Sequence, residues 1–156
     1  MSRSSQAAQA LTSGQTNRPG PTLSPATFAH KIGDLILEKK GVDLVVMDVE
    51  KVTSLTDHIV IATASNPRQV KSMALDVLEY AKSVGKATLS REGLEQAWWV
   101  LLDFGDIVVH IMQEEARGYY DLEVLWADGE VVRRSPVDEE DEVDLFQSVR
   151  DLPEDD

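Results

Sequence analysis

Two carboxylates lie close together at the end of a run of apolar residues. Asp48 and Glu50 are two residues apart, and in a strand that spacing points both side chains to the same face. Paired carboxylates can hold the two metal ions of nucleotidyltransferases. Those enzymes also hold the triphosphate on a Gly-Ser turn before the strand, whereas residues 40–43 read Lys-Gly-Val-Asp. The pattern favours a solvated strand end, and a nucleotidyltransferase-like enzyme is the weaker hypothesis.

Two further motifs suggest metal chemistry, and neither is complete. His110 and Glu114 lack the second histidine that a zinc-protease helix needs. Asp103-Phe104-Gly105 matches the metal-binding triplet of protein kinases, but the chain has no glycine-rich phosphate loop and is too short for a kinase. The triplet is more typical of a hairpin turn. The sequence therefore predicts a protein that is not an enzyme, with no catalytic residues, metal site or cofactor.

The adjacent tryptophans Trp98 and Trp99 suggest binding instead of catalysis. Neighbouring residues of a strand face opposite sides of the sheet, so we expect one indole in the core and the other on the opposite face beside Leu101. Two interpretations stay open. In the first, helices cover both faces of the sheet and bury both indoles. In the second, an aromatic strip stays exposed, which is typical of a protein-binding site.

Two helices with clear start signals flank the first pair of predicted strands. Ser24-Pro25 and Asn66-Pro67 each combine an N-cap residue with a proline at the first helical position. The first helix should end at Gly41 and the second at Gly85. Runs rich in β-branched residues predict buried strands; these runs are 44–49 and 58–63.

The second half of the domain is predicted to contain a β-hairpin followed by a helix. The runs 98–102 and 107–112 flank a turn that contains glycine. A third helix is expected over 114–126, with Tyr119, Leu122 and Trp126 on one face. Short strands are expected at 87–89 and at Val131-Val132. The predicted fold is α/β, with a single mixed β-sheet flanked by helices.

Composition divides the chain into three parts. Residues 1–23 have few large apolar side chains, which predicts a disordered leader. Residues 24–137 form the predicted α/β domain. Residues 138–156 contain ten acidic residues and one basic residue, which predicts an acidic disordered tail. The tail therefore has a charge of −9, and residues 1–137, with 18 acidic and 14 basic residues, have a charge of −4.

This charge disfavours direct reading of nucleic acid, because phosphate binding needs a basic patch. A basic protein partner would be complementary. The sequence contains no cysteine and no apolar run of about 18 residues, so it predicts no disulfide and no membrane span. A cytoplasmic location is expected.

Several short segments, in order, resemble the two signatures of the Iojap/RsfS family of ribosomal silencing factors. The first signature is matched by Ser54-Leu55-Thr56-Asp57, Ile59-Val60-Ile61-Ala62-Thr63 and Arg68-Gln69-Val70. The second is matched by Glu92-Gly93, Trp99, Leu102-Asp103-Phe104-Gly105-Asp106, Val109-His110, Arg117, Tyr120, Leu122-Glu123 and Leu125-Trp126. The resemblance covers about 28–128. The chain departs from the family pattern at Ala64, Asn66 and Trp98.

The resemblance implies a nucleotidyltransferase-like fold without catalytic residues. It also implies binding to a protein of the large ribosomal subunit on its intersubunit face, which would block joining of the small subunit and repress translation when nutrients are short. Two alternatives are assembly of the large subunit in an organelle and, less favoured, a nucleotidyltransferase-like enzyme. The free protein is expected to be a homodimer. The expected partner-binding residues are Trp99, Leu101, Met112, Tyr120, Asp57 and Arg117.

Overall fold

The computed structural model describes residues 23–135. The predicted acidic tail, 138–156, and all of the predicted leader except Leu23 lie outside the described residues. The elements follow in the order α1 (Pro25–Glu38), β1 (Val42–Asp48), β2 (His58–Ala64), α2 (Pro67–Ser83), β3 (Ser90–Glu92), β4 (Trp99–Asp103), β5 (Ile107–Gln113), α3 (Glu114–Tyr119), α4 (Leu122–Leu125) and β6 (Glu130–Arg134).

The six strands form one mixed sheet in the order β3-β4-β5-β2-β1-β6. The central pair, β2 and β5, is parallel, and every other neighbouring pair is antiparallel. The ends of β2 and β5 and the start of β4 therefore meet at the same end of the sheet. Met112 aligns with Thr63 on one side and with Trp99 on the other. The predicted α/β class and single mixed sheet are confirmed.

The two long helices begin where the cap residues predict. Ser24 Oγ accepts the N–H of Thr27 at 3.2 Å, and Asn66 Oδ1 accepts that of Gln69 at 2.8 Å. At Gly41 a Cβ atom would lie 2.5 Å from the side chain of Ile36, so only glycine fits after α1. The two helices pack on the same face of the sheet. The main core lies between them and the strands, around residues such as Phe28, Ile32, Val60, Met73, Val100 and Ile111.

The opposite face is covered only in part, by α3, α4 and the segment after them. A smaller cluster lies there, formed by Val45, Met47, Val49, Ile59, Ile61, Met112, Ala116 and Leu122. Trp99 and Trp126 pack against this cluster and are half-buried. Because the cover is short, part of this face reaches the surface of the domain.

The prediction of one helix over 114–126 is wrong. The segment forms two short helices, because Asp121 has φ −35° and ψ 78°, which is outside the helical region. The predicted common face is lost as well, since Tyr119 is 75% exposed while Leu122 is buried. The strand expected at 87–89 lies instead at Ser90–Glu92, and the one expected at 44–49 is Val42–Asp48.

Within residues 23–135, no helix has both the length and the apolar character needed to cross a lipid bilayer.

Candidate protein-docking surface

Four aromatic side chains meet at the end of the sheet where β4 begins. The Trp99 and Tyr120 rings are 4.5 Å apart between centroids, Trp98 and Tyr120 are 5.8 Å apart, and Tyr119 and Tyr120 are 4.8 Å apart. Leu101 lies two residues along β4 from Trp99, on the same face. We call these five residues the aromatic surface. Such clusters of large, rigid rings are enriched where proteins bind each other.

The turn before β4 brings both indoles to this surface. Ala97 has a positive φ of 54°, and its N–H donates to the Gly93 carbonyl at 2.8 Å. Trp98 therefore precedes the strand, and its carbonyl accepts the N–H of Gln113 at 2.9 Å. The prediction that the two indoles face opposite sides is wrong, because strand alternation does not apply to Trp98. Gly93 is required in this turn, since a Cβ there would lie 2.1 Å from the Trp99 carbonyl oxygen.

The Trp99 ring is fixed from behind by His110. Its Nε1–H donates to His110 Nδ1 at 3.0 Å. His110 is only 6% exposed, and burial lowers the pKa of its imidazole from 6.5 to about 4. The imidazole is therefore neutral near pH 7, which leaves Nδ1 free to accept this hydrogen bond. The arrangement pre-orders the ring and satisfies its polar group within the protein.

The predicted partner-binding residues occupy different depths. Leu101 is half-buried and pairs across the strands with His110. Tyr120 is 37% exposed. Met112 pairs with Trp99 but is fully buried, so it supports the aromatic surface from beneath and offers no area to a partner.

Arg117 connects elements inside the domain. One guanidinium nitrogen, Nη1, donates to the Asp43 carbonyl at 2.7 Å and to Thr63 Oγ1 at 2.8 Å, and Nε lies 3.3 Å from the Glu123 carboxylate. Its side chain is 14% exposed. Arg117 also lines a pocket of about 270 Å³ together with Glu123, Arg134 and Ser135. We infer that it holds α3 and α4 in place beside the aromatic surface.

Asp57 does not join the other predicted residues. It precedes β2, and its carbonyl accepts the N–H of Val49 at 2.9 Å. Trp99 aligns through Met112 with Thr63 near the far end of β2. Thr63 lies six residue steps after Asp57, which is about 20 Å at the rise of a strand. Asp57 therefore lies at the opposite end of the sheet from the aromatic surface.

Three strongly exposed side chains of α3 and α4 were not predicted as site residues. Tyr119, Val124 and Leu125 are 75%, 67% and 68% exposed. The sequence predicts one continuous helix here, with Tyr119 on the same face as Leu122 and Trp126. The signal available in the sequence was Gly118, which weakens a helix by about 1 kcal/mol relative to alanine.

The carboxylate pair considered for metal binding is arranged as a turn. The N–H of Glu50 donates to Asp48 Oδ1 at 2.9 Å, and Glu50 lies beyond the end of β1. The two side chains therefore do not share a strand face. Across residues 23–135, no group of three or more His, Cys, Asp or Glu side chains is placed to hold a metal ion.

Comparison with known proteins identifies the family that this chain matches. The sequence model of a family described as "Ribosomal silencing factor during starvation" matches residues 22–154. The chain is 44% identical over 87 residues to the ribosomal silencing factor of Chromobacterium violaceum, covering 56% of this chain and 71% of the relative. It is 43% identical over 88 residues to that of Haemophilus influenzae, covering 56% and 86%.

A solved structure and a more distant relative extend the comparison. A crystal structure of a Chromobacterium violaceum protein superposes with a TM-score of 0.65 at 36% identity, covering 67% of this chain and 88% of that one. The mouse protein named "Mitochondrial assembly of ribosomal large subunit protein 1" is 28% identical over 114 residues, covering 70% of this chain and 50% of the relative. The family match also continues to residue 154, beyond the resemblance expected up to about residue 128.

Proposed function

Since this chain belongs to the ribosomal silencing factor family, we propose that it represses translation by binding a protein on the intersubunit face of the large ribosomal subunit. Binding there blocks joining of the small subunit when nutrients are limiting, and it takes place in the cytoplasm. The function is regulatory, in keeping with the names of its bacterial relatives. No catalytic step is part of the proposal.

The observation that supports this proposal most directly is the aromatic surface. Trp98 and Tyr120 are 36% and 37% exposed, and Tyr119 is 75% exposed. Large exposed aromatic side chains grouped on one surface are typical of a binding site. Trp99 is already held by His110, so little side-chain entropy is lost when a partner packs against it.

The charge of the chain supports a protein partner over RNA. The net charge is −13, and a strongly acidic protein is repelled by the phosphate backbone. A basic ribosomal protein would instead be attracted over a distance of about 10 Å at moderate salt.

The size of the domain is sufficient to explain how a bound molecule would keep the two ribosomal subunits apart. A domain of about 100 residues has a radius of gyration near 13 Å, hence a thickness of roughly 25 Å. A standard interface covers about 800 Å² on each partner. A bound object of that thickness prevents two flat subunit faces from closing, without an energy source or a conformational change.

A second candidate function is assembly of the large subunit in an organelle. The similarity to the mouse mitochondrial protein favours it, as does the absence of Asp and Glu before Asp34, a property of transit peptides. This function would use the same surface on the same subunit. A fusion of residues 1–34 to a fluorescent reporter, expressed in eukaryotic cells, distinguishes the two: import into an organelle supports assembly, and a diffuse signal supports silencing.

We also propose that the free protein is a homodimer. The edge strand β6 supports this, because Val131 and Val132 are 41% and 38% exposed beside backbone groups that another strand could pair. Light scattering after size exclusion should give twice the chain mass of 17.3 kDa. Val132→Lys should shift the protein to the monomer, and a wild-type monomer at every concentration would refute the proposal.

The decisive experiment is binding to purified ribosomal subunits. Immobilised protein should retain large subunits and leave small subunits in the flow-through. Trp98→Ala combined with Tyr119→Ala should abolish retention, whereas Val84→Ala, a 37% exposed apolar residue at the end of α2 on the opposite face, should have no effect. Equal retention by both variants would place the binding site elsewhere.

A further inference from the structure

A groove runs along α2 beside the edge strand β3, on the side of the sheet away from the aromatic surface. It has a volume of about 690 Å³. Four of its residues lie on one stripe of α2, at spacings of three, four and seven: Leu75, Leu78, Glu79 and Lys82. Lys86 and Arg91 line the opposite wall. We call this the α2–β3 groove.

The groove combines an apolar floor with a basic rim. Leu75 is 49% exposed and Leu78 is half-buried. Lys86 forms an ion pair with Asp106 at 2.7 Å, whereas Lys82 and Arg91 form none within residues 23–135. The lining carries three basic side chains and one acidic side chain, Glu79, although residues 23–135 as a whole have 18 acidic and 12 basic residues. The groove therefore suits a ligand with apolar side chains and negative charge.

We propose that this groove binds the C-terminal segment of the same chain, residues 145–156. The sequence of that segment has both required properties. Leu145, Val149 and Leu152 are spaced at i, i+4 and i+7, the spacing of an apolar stripe. Acidic residues surround and follow the stripe: Asp144, Asp151, Glu154, Asp155 and Asp156. The family match continues through residue 154, which indicates that this segment is part of the family pattern and not an unrelated extension.

The chain is long enough to reach the groove. The described part ends at Ser135, whose N–H donates to the carbonyl of Leu44 in β1. The sheet between β6 and β3 spans five strand spacings, about 24 Å. The ten residue steps from Ser135 to Leu145 reach at most about 33–36 Å. The linking segment is therefore longer than the width of the sheet that it must cross.

The apolar floor favours this segment over RNA as the occupant. Phosphate backbones bind through cations and offer nothing to Leu75 and Leu78. An acidic segment with an apolar stripe satisfies both the floor and the rim.

Because the chain contains no cysteine, the proposal can be tested with introduced cysteine pairs. Glu79→Cys with Val149→Cys should form an intramolecular disulfide under mild oxidation. The control pair is Lys31→Cys with Val149→Cys. Lys31 is exposed on α1, and His30 beside it accepts a hydrogen bond from Arg133 near the end of β6. A freely moving tail would reach Lys31 at least as easily as the groove.

The expected result is that the groove pair closes at least about tenfold faster than the control pair, because docking raises the local concentration of one thiol near the other. Lys82→Glu should slow closure, and Lys51→Glu, the same change on an exposed loop, should not. Equal rates for both cysteine pairs would overturn the proposal. A disulfide-linked dimer on a non-reducing gel would overturn it in favour of a second copy, and binding of a labelled single-stranded RNA that Lys82→Glu weakens would overturn it in favour of nucleic acid.

Discussion

The indole N–H of Trp99 donates a hydrogen bond to Nδ1 of His110 at 3.0 Å, so an imidazole buried inside the sheet orients a ring on the aromatic surface. The two residues lie on neighbouring strands, where Trp99 aligns with Met112 and His110 with Leu101. The contact exists only while the imidazole is neutral, because a doubly protonated ring has no acceptor. The order of the aromatic surface is therefore coupled to the protonation state of His110.

The first prediction is that this coupling makes the fold less stable in mild acid. In the unfolded chain the pKa of His110 returns to about 6.5, whereas burial lowers it to about 4 in the fold. Between these values the unfolded state binds more protons, so the free energy of unfolding decreases as the pH falls through this window. The loss should reach about 3 kcal/mol at pH 4, at 1.36 kcal/mol per unit of pKa difference.

Urea denaturation of the wild type and of His110→Asn between pH 7.5 and pH 4 tests this prediction. Asparagine can still accept the indole N–H but does not titrate. Between pH 7.5 and pH 4 the free energy of unfolding should therefore fall less for the variant than for the wild type. Subtracting one pH profile from the other cancels the contributions of the groups that both proteins share. Parallel pH profiles would show that His110 is protonated in the folded protein without penalty.

The second prediction concerns the two roles of Trp99. Trp99→Phe keeps an aromatic ring against Tyr120 but leaves the buried Nδ1 without its donor, which should cost about 1–3 kcal/mol of stability. Trp99→Ala also removes the packing against the smaller core cluster and should cost about 3 kcal/mol or more. Thermal unfolding measures both losses. If Trp99→Ala unfolds at the wild-type temperature, the ring contributes to binding alone.

The helices could be predicted from the sequence where residues close in the chain determine their ends. The aromatic surface could not be predicted in this way. Ser24 and Asn66 cap helices through contacts three residues away, which a sequence displays directly. The turn that positions Trp98 depends on the positive φ of Ala97 and on Gly93, which lies four residues before Ala97. The alternation of side chains along a strand therefore does not predict where Trp98 points. Arg117 is a predicted interface residue, and its contacts with Asp43 and Thr63, which bridge 74 and 54 residues, could not be predicted. Such long-range contacts have no local pattern in the sequence.

The same limit explains Asp57. It was grouped with Trp99 because both match signatures of one family, and a signature does not record where its residues lie in space. The parallel pairing of β2 with β5 determines that one residue is at the start of the strands and the other near their end. The signatures therefore grouped Asp57 with Trp99, although the two residues lie at opposite ends of the sheet.

The third prediction separates binding from folding on the aromatic surface. Trp98→Ala and Tyr119→Ala should each weaken binding to the large subunit by roughly thirtyfold, which corresponds to about 2 kcal/mol at an interface centre. Because each ring also packs against Tyr120, the free energy of unfolding should fall by no more than about 1.5 kcal/mol, which is less than the loss of binding free energy. Titration of labelled protein with large subunits measures the first quantity, and urea denaturation measures the second.

Val84→Ala is the matched control, since Val84 is as exposed as Trp98 but lies on the other side of the sheet. Its binding should equal that of the wild type. Wild-type affinity for both aromatic variants would exclude this surface as the docking site. A loss of affinity that matches a loss of stability would mean only that the variants are partly unfolded.

The fourth prediction concerns catalysis at Asp48 and Glu50. Because residues 40–43 read Lys-Gly-Val-Asp and lack the Gly-Ser turn that holds a triphosphate, ATP with Mg²⁺ should not bind. A ligand that does not bind the native state cannot raise the melting temperature. The thermal unfolding curve should be unchanged at millimolar nucleotide. A shift that grows with nucleotide concentration would revive the nucleotidyltransferase hypothesis.

The last prediction concerns the stoichiometry of silencing. If the bound domain acts only by its thickness, each molecule inactivates one large subunit, and the small subunit competes for the same face. Adding purified protein to separated subunits should lower the joined fraction in a sucrose gradient in proportion to the protein added, up to one molecule per large subunit. Excess small subunit should oppose the effect.

Preformed ribosomes are the control for this mechanism, because their docking face is already covered. They should be much less sensitive, and the residual effect should follow their spontaneous dissociation rate. Trp98→Ala combined with Tyr119→Ala should be inactive in the same assay at equal concentration. If the wild type instead splits preformed ribosomes at amounts far below one per ribosome, each molecule must act repeatedly. Passive occlusion would then be the wrong mechanism, since an object that blocks by its thickness must stay bound to block.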